Sequence, residues 1–408
     1  MSVVDRIELW FVTVPLPAPF SPAWIPGNTR SRYAFNLIRL VTDDGVEGWS
    51  AFPTSGRERA GLGDPLADLF LGRDPTDMAL VHERLKILAI GGNRNWWVEP
   101  AFWDIKAKLA GVPLYRLLGG TDERLRLYAS SGEVMQPAAR VDEAEARLAE
   151  GFDTLKVRVH DFDERVDVAA IEHIARAMDG RMRIAVDCNQ AFRLTQFADA
   201  PRWDLARATR FADAAADAGL AWVEEPLFME WFDEMAALTA RSRVPIAGGE
   251  LHTAGWPELR TMVEKRCYHV FQADAMWAGG VKECLQVARL CRELGLGFTA
   301  HSWSTGIGFM VNAHVMAASG FAAELPFEYP LSPPGWTPEA RDAVLAAPWR
   351  HRDGWLDMPQ QPGLGVEIDR QALQRLGVCF FRADRAARVW MPEVLSQVRW
   401  SSNKGEGR

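Results

Sequence analysis

Eight short apolar runs, each followed by a longer amphipathic stretch, constrain this chain more than any other feature. The runs are LRLYAS, TLKVRV, RIAVDCN, LAWVEEP, VPIAGGE, HVFQAD, GFTAH and AELPFEY, all beyond position 123. Spacers such as DERVDVAAIEHIARAM, DLARATRFADAAADAG and GVKECLQVARLCRELG carry apolar residues at intervals of three and four, which is the helical period. Strand alternating with helix eight times predicts an α/β fold, a (β/α)8-type TIM barrel, with an open doubly wound sheet as the weaker alternative. No GxGxxG follows the early strands, which argues against a dinucleotide-binding version.

The segment before the barrel has a different texture. RIELWFVTV and AFNLIRLVTDDGVEGWSA read as strands, with Asp43-Asp44-Gly45 as a hairpin turn. Between them lies PLPAPFSPAWIPGNTRSR, too polar for core and too rich in proline for a strand, so a loop is expected there. From Pro65 to Leu118 the pattern is helical, and Gly119 and Gly120 end it. This makes residues 1–123 an α+β unit and residues 124–345 the barrel.

Composition narrows the function. A chain of 408 residues with 48% hydrophobic residues can bury a large core. Its formal charge of −8 argues against a nucleic-acid partner, which would need a basic face. No apolar run is long enough to span a bilayer, and the N-terminus has no signal-peptide pattern, so a cytoplasmic protein with a small-molecule substrate is expected. The five cysteines are scattered and form no CxxC pair; reduced, structural thiols are expected. Cys284 and Cys291 share a helical face that reads as core. The polar tail SSNKGEGR is expected to be disordered.

In a barrel, catalytic groups come from the C-terminal ends of different strands. Here the third run ends in Asp187, the fourth in Glu224 and Glu225, the fifth in Glu250, the sixth in Asp274 and the seventh in His301. From Glu224 to His301 these ends are 26, 24 and 27 residues apart, one βα unit each. Asp187, Glu224 and Glu250 on adjacent strands would repel one another unless a cation sits between them, and oxygen ligands suit hard Mg2+. Asp274 one strand before His301 permits a pair in which the carboxylate orients the imidazole as a general base.

These residues carry a resemblance. Lys156-Val157-Arg158, Asp187-Cys188-Asn189-Gln190, Glu224-Glu225-Pro226, Gly249-Glu250, QADAMWAGGV, TAHSW and PFEYP together resemble the mandelate racemase subgroup of the enolase superfamily, including its acid-sugar dehydratases. EPAFWDIKAKLAGVPLYRLLGG is similar to that family's capping domain. The resemblance implies a modified enolase-type barrel, a capping domain rejoined by residues 346–408, and homo-oligomers. It also implies Mg2+ on Asp187, Glu224 and Glu250, an Asp274–His301 base dyad, and Glu328 bonded to a substrate carboxylate.

The alternating cations of TLKVRVHD point to the reaction. On a strand Lys156, Arg158 and His160 face one way, which is costly unless an anion is near. An enediolate formed by removing a proton α to a carboxylate is such an anion. Racemisation needs a base on each face of the α-carbon, and arginine, with a pKa above about 12, is a poor one. Arg158 therefore reads as a clamp and Lys156 as a cation beside the enediolate. His301 alone suffices for β-elimination, which from a sugar acid gives a 2-keto-3-deoxy acid. A racemase or epimerase, and a metal-binding barrel without catalysis, stay open.

His160 is either an acid on the lysine side or a solvent contact past the strand end. Trp24 and Arg30 in the Pro-rich segment, with Asn28, Arg32 and the FPTSGRER loop, belong to the lid expected over the mouth. Asn189 and Trp303 are counted with Trp24, Arg30 and His160 as substrate contacts. Trp277, three residues after Asp274, alters the pocket wall.

Overall fold

A computed structural model describes residues 2–391 except 57, 92, 93, 193, 194 and 196; the expectation for the SSNKGEGR tail lies outside the described residues. The chain opens with three antiparallel strands, β1 (Val4–Phe20), β2 (Arg30–Thr42) and β3 (Glu47–Pro53). The β2–β3 turn closes at Asp43-Asp44-Gly45 as expected, with Gly45 at φ 86°, a left-handed conformation that glycine adopts without strain. Helices Gly63–Phe70, Met78–Ile90 and Glu99–Leu109 follow.

One expectation fails here: β1 runs on through Pro15, Pro17 and Pro19 to Phe20, so that part of the proline-rich segment is strand. Beyond Val12 the strand has β2 as its only ladder partner among the described residues, and the pairing becomes irregular between Pro15 and Phe20. An edge tolerates residues that cannot donate a ladder hydrogen bond.

The eight runs form eight strands, β4 (Arg124–Ser130), β5 (Thr154–Arg158), β6 (Arg183–Asp187), β7 (Val223–Glu224), β8 (Ile246–Gly248), β9 (Val270–Phe271), β10 (Gly297–Phe298) and β11 (Phe327–Pro330). They pair in parallel in the order β10-β9-β8-β7-β6-β5-β4-β11. Among the described residues no backbone ladder joins β10 to β11. Side chains bridge that seam: Thr299 Oγ1 donates to the Pro326 carbonyl at 2.8 Å, and Ser302 N and Oγ donate to Glu328 Oε2 and the Glu328 carbonyl, each at 2.8 Å. A long helix follows each of the first seven strands, whereas the eighth is followed by the four-residue Pro338–Arg341. This is the modified form of the barrel.

Residues after 346 serve both units. β12 (Trp355–Asp357) pairs with β4, while β13 (Gly377–Asp384) pairs with β1 and with β14 (Arg388–Trp390), completing a five-stranded sheet. A buried ionic group ties the N-terminal helices to the barrel: His82 Nε2 lies 2.7 Å from Glu283 Oε1, and Glu99 Oε2 accepts from Val281 N at 2.6 Å. Position 280 favours glycine, because its φ is 80° and a Cβ there would sit 2.0 Å from Glu99 Oε2. All five cysteines are free, and Cys284 and Cys291 are fully buried on helix Gly280–Glu293. No helix of the described residues is long and apolar enough to cross a membrane.

Candidate active site

The strand ends converge as parallel pairing requires. Arg158 is in register with Asp187 and Asp187 with Glu224, while Glu250, Asp274 and His301 lie just past β8, β9 and β10. Lys156 and Arg158 project together. Lys156 Nζ bridges Glu224 Oε1 at 2.5 Å and Glu328 Oε1 at 2.7 Å. Arg158 donates through Nη1 to Asp187 and through Nε to the Ser131 carbonyl at 2.8 Å. Asn189, at φ 46°, turns back on Asp187, donating from its backbone N–H at 2.7 Å and from Nδ2 at 3.0 Å.

His301 is held from both sides. Its Nδ1 lies 2.8 Å from Asp274 Oδ2, and its Nε2 lies 3.1 Å from Glu250 Oε2. Asp274 Oδ1 accepts from Met276 N at 2.8 Å and from Asn312 Nδ2 at 2.7 Å, so both oxygens of this carboxylate are fixed. Burial acts to lower the His301 pKa, but Glu250, Glu328 and Asp274 outweigh it and raise the imidazole to about 10.

The carboxylates are crowded. Burial first, then repulsion from Glu224, lifts Asp187 to about 6 even against Arg158. Burial, then Asp187 and Glu224, lifts Glu250 to about 7 although His301 opposes the shift. Glu225, at φ 48°, is also raised, by burial and then by Glu250, and its buried Oε2 has no hydrogen-bond partner among the described residues. Among the described residues no three metal-ligating side chains are gathered about one point. Instead each candidate ligand is held by a cation of the chain: Asp187 by Arg158, Glu224 by Lys156 and Glu250 by His301. Three hard oxygen donors under mutual repulsion, beside an orphaned carboxylate oxygen, fit a hard divalent cation.

A cavity of about 360 Å³ opens over this cluster. Arg158, Asn189, Glu250, His301, Trp24, Arg30 and Trp303 line it. Lys156, Asp187, Glu224, Asp274 and Glu328 lie beneath it and are fully buried. Both Glu328 oxygens are engaged, Oε1 by Ser130 Oγ at 2.8 Å and by Lys156, Oε2 by Ser302 N at 2.8 Å. His160 lies past the end of β5 and borders a small neighbouring cavity with Asn189 and Trp24.

Several residues here went unnamed from sequence. Asn312 had a visible signal, an uncharged amide inside the apolar helix GIGFMVNAHVMAA. Gln272, whose Nε2 donates to Glu224 Oε2 at 2.9 Å, also had one, since it stands two residues before Asp274 in the same run. Ser130 and Trp222, which bond Glu328 and Glu224, had none.

Comparison with known proteins identifies the family. Residues 139–372 match the enolase C-terminal domain-like family, and residues 6–119 match the mandelate racemase / muconate lactonizing enzyme N-terminal domain. The chain therefore belongs to the enolase superfamily, in its mandelate racemase and muconate lactonizing enzyme group, an enzyme family whose cofactor is Mg2+. It is 27% identical to D-galactarolactone cycloisomerase of Agrobacterium fabrum, covering 88% of this chain and 94% of that protein. It is 28% identical to D-galactonate dehydratase of Ralstonia nicotianae, covering 82% and 88%. Among solved structures, an enolase from alpha proteobacterium bal199 with bound Mg is 26% identical, with a TM-score of 0.77 over 93% of this chain and 100% of that one.

Proposed function

We propose that this chain is a Mg2+-dependent hydro-lyase that removes the proton α to the carboxylate of a sugar acid and expels the β-hydroxyl, giving a 2-keto-3-deoxy acid. One observation carries the reading. On the cavity wall His301 is an oriented base, while the cation at the end of β5 is Arg158, which burial cannot deprotonate because Asp187 and Glu224 hold its pKa up. A guanidinium clamps an anion but does not return a proton to the second face of the α-carbon.

The residues divide the work as follows. Asp187, Glu224 and Glu250 are the side chains that would hold Mg2+, which when bound supplies positive charge to the substrate carboxylate as it gains electron density. Asp274 fixes the His301 ring so that Nε2 faces the cavity; Glu250, the carboxylate that does most to raise this ring's pKa, would be neutralised in the metal-loaded site, and the ring, then free of its proton, takes the α-proton and can return it to the departing hydroxyl in a syn elimination. Arg158 and Lys156 keep fixed positive charge beside the growing enediolate, and Glu328 holds Lys156 in place. Arg30, which also lines the cavity, receives a polar or anionic end of the substrate.

The test is incubation of the protein with Mg2+ and a panel of aldonic and aldaric acids, assayed for 2-keto acid. Dehydration of at least one of them is expected. Exchange of the α-proton with inversion of configuration and no loss of water would make the enzyme an epimerase.

A further inference from the structure

The cations that line the cavity differ in one respect: some have their counter-charge within the chain, and two do not. Arg158 is held by Asp187, and His301 lies between Asp274 and Glu250. Arg59 lies 3.5 Å from Glu58, and both are engaged further. Arg59 Nη1 donates to Asn36 Oδ1 at 3.1 Å and to the Pro53 carbonyl at 2.9 Å, while Glu58 accepts from Thr54 Oγ1 and from Ser55 N at 2.9 Å. Arg30 and Arg32, two residues apart on β2, also line the space, and among the described residues neither has a carboxylate partner. Two positive charges of the cavity are left over.

Of the two, Arg32 is exposed and is served by water, whereas Arg30 is half-buried. Burial lowers the Arg30 pKa, and no carboxylate among the described residues acts against that. Its hydrogen-bond partner is neutral: with the Asn28 amide oxygen turned toward the guanidinium, Nε donates to it at 2.9 Å and Nη2 at 3.0 Å. That contact fixes the guanidinium by one edge. It leaves the Nη1–Nη2 edge, the one that grips a carboxylate in two parallel hydrogen bonds. A substrate hydroxyl on this edge would be a neutral acceptor and would leave the charge unmatched.

The strand register ties this arginine to the reacting end. Phe20 is in register with Arg30 and stacks on Trp303, with ring centres 5.9 Å apart. The Arg158 guanidinium lies 5.7 Å from the centre of the Trp303 ring. Arg30 thus shares a wall with Arg158 without sharing its carboxylate.

We propose that the substrate is a dicarboxylic sugar acid, an aldarate, whose second carboxylate pairs with the free edge of Arg30 while the first lies among the reacting groups. The proposal rests on the hydro-lyase reading and adds the substrate class. The step balances without a co-reactant: the C2–H and C3–O bonds break, the C2–C3 double bond forms, the hydroxyl leaves as water with the abstracted proton, and the enol tautomerises. The second carboxylate keeps its charge throughout.

The experiment gives the Mg2+-loaded enzyme aldarates of four to six carbons, each beside the aldonate of the same configuration. At least one aldarate should be dehydrated with a kcat/KM about ten- to hundredfold above its aldonate, the difference between a charge-assisted and a neutral contact. Arg30→Gln should lower the aldarate value more than the aldonate value and bring the pair to within about threefold. A preference for the aldarate that survives Arg30→Gln undiminished would overturn the assignment to Arg30. Calorimetry with 2-hydroxy diacids of four to six carbons and the 2-hydroxy monoacids of equal length, which have no β-hydroxyl to lose, separates the two claims. Tighter binding of a diacid, with no dehydration of any sugar acid, would refute the hydro-lyase and uphold the second-carboxylate site. If no diacid binds more tightly than its monoacid and the aldonates turn over at least as fast as the aldarates, the second-carboxylate site is refuted and the hydro-lyase stands.

Discussion

Replacing Asn312 with alanine probes how far the base depends on a residue that never touches the substrate. The amide makes two buried hydrogen bonds, Nδ2 to Asp274 Oδ1 at 2.7 Å and Oδ1 from Ala275 N at 2.9 Å. The first is to a charged acceptor, worth about 1.5–3 kcal/mol, and losing the second leaves a buried N–H unpaired at about 1–3 kcal/mol. The variant should thus be less stable by about 2.5–6 kcal/mol, read as a lower urea midpoint. If the Asp274 bond positions His301 for the transition state, its share should also appear in catalysis. That share corresponds to a fall in kcat of about tenfold to a hundredfold, with KM nearly unchanged. Turnover is measured under native conditions, where the folded fraction is checked by circular dichroism. A destabilised but fully folded enzyme with wild-type kcat would refute the positioning argument.

Two further outcomes follow from other parts of the molecule. His82, between Glu283 and Glu99, has its pKa raised from 6.5 to about 9, because those carboxylates outweigh burial. A raised histidine contributes fully below the unfolded value and loses its contribution as pH rises through the folded one. The wild type should therefore lose stability between about pH 6.5 and about pH 9 more steeply than His82→Gln; parallel denaturation profiles would contradict the ion-pair reading. Removing Mg2+ with a chelator should abolish turnover and lower the thermal midpoint, since ligand at a hundredfold over its Kd stabilises by about 2.7 kcal/mol. Unchanged activity after exhaustive chelation would remove the metal from the mechanism.

The barrel was legible because parallel strands buried on both faces are near-continuous apolar runs, and the polar residue ending each run stands out. Asp187, Glu224, Asp274 and His301 could be found that way, since β-strand register brings successive ends together whatever the loops do. The pairing of Glu328 was less accessible. Nothing in PFEYP says that Ser130, Lys156 and Ser302 take up both its oxygens, because those partners come from three other segments of the chain. The extent of β1 was hidden for a local reason, as proline statistics speak for central strands and Pro15 to Phe20 form an edge. The stacking of Phe20 on Trp303 was hidden for a long-range one, since the two meet only where the N-terminal unit docks on the barrel mouth.

The most direct test of the account is His301→Asn, assayed with Mg2+ and the best substrate. Loss of a positioned general base should lower kcat by about 10²–10⁴-fold, with Mg2+ affinity close to that of the wild type. With substrate deuterated at C2, the wild type should show a primary isotope effect, and the variant should leave the label in place. A variant that keeps wild-type turnover, or still exchanges the C2 proton with solvent, would show that another group is the base.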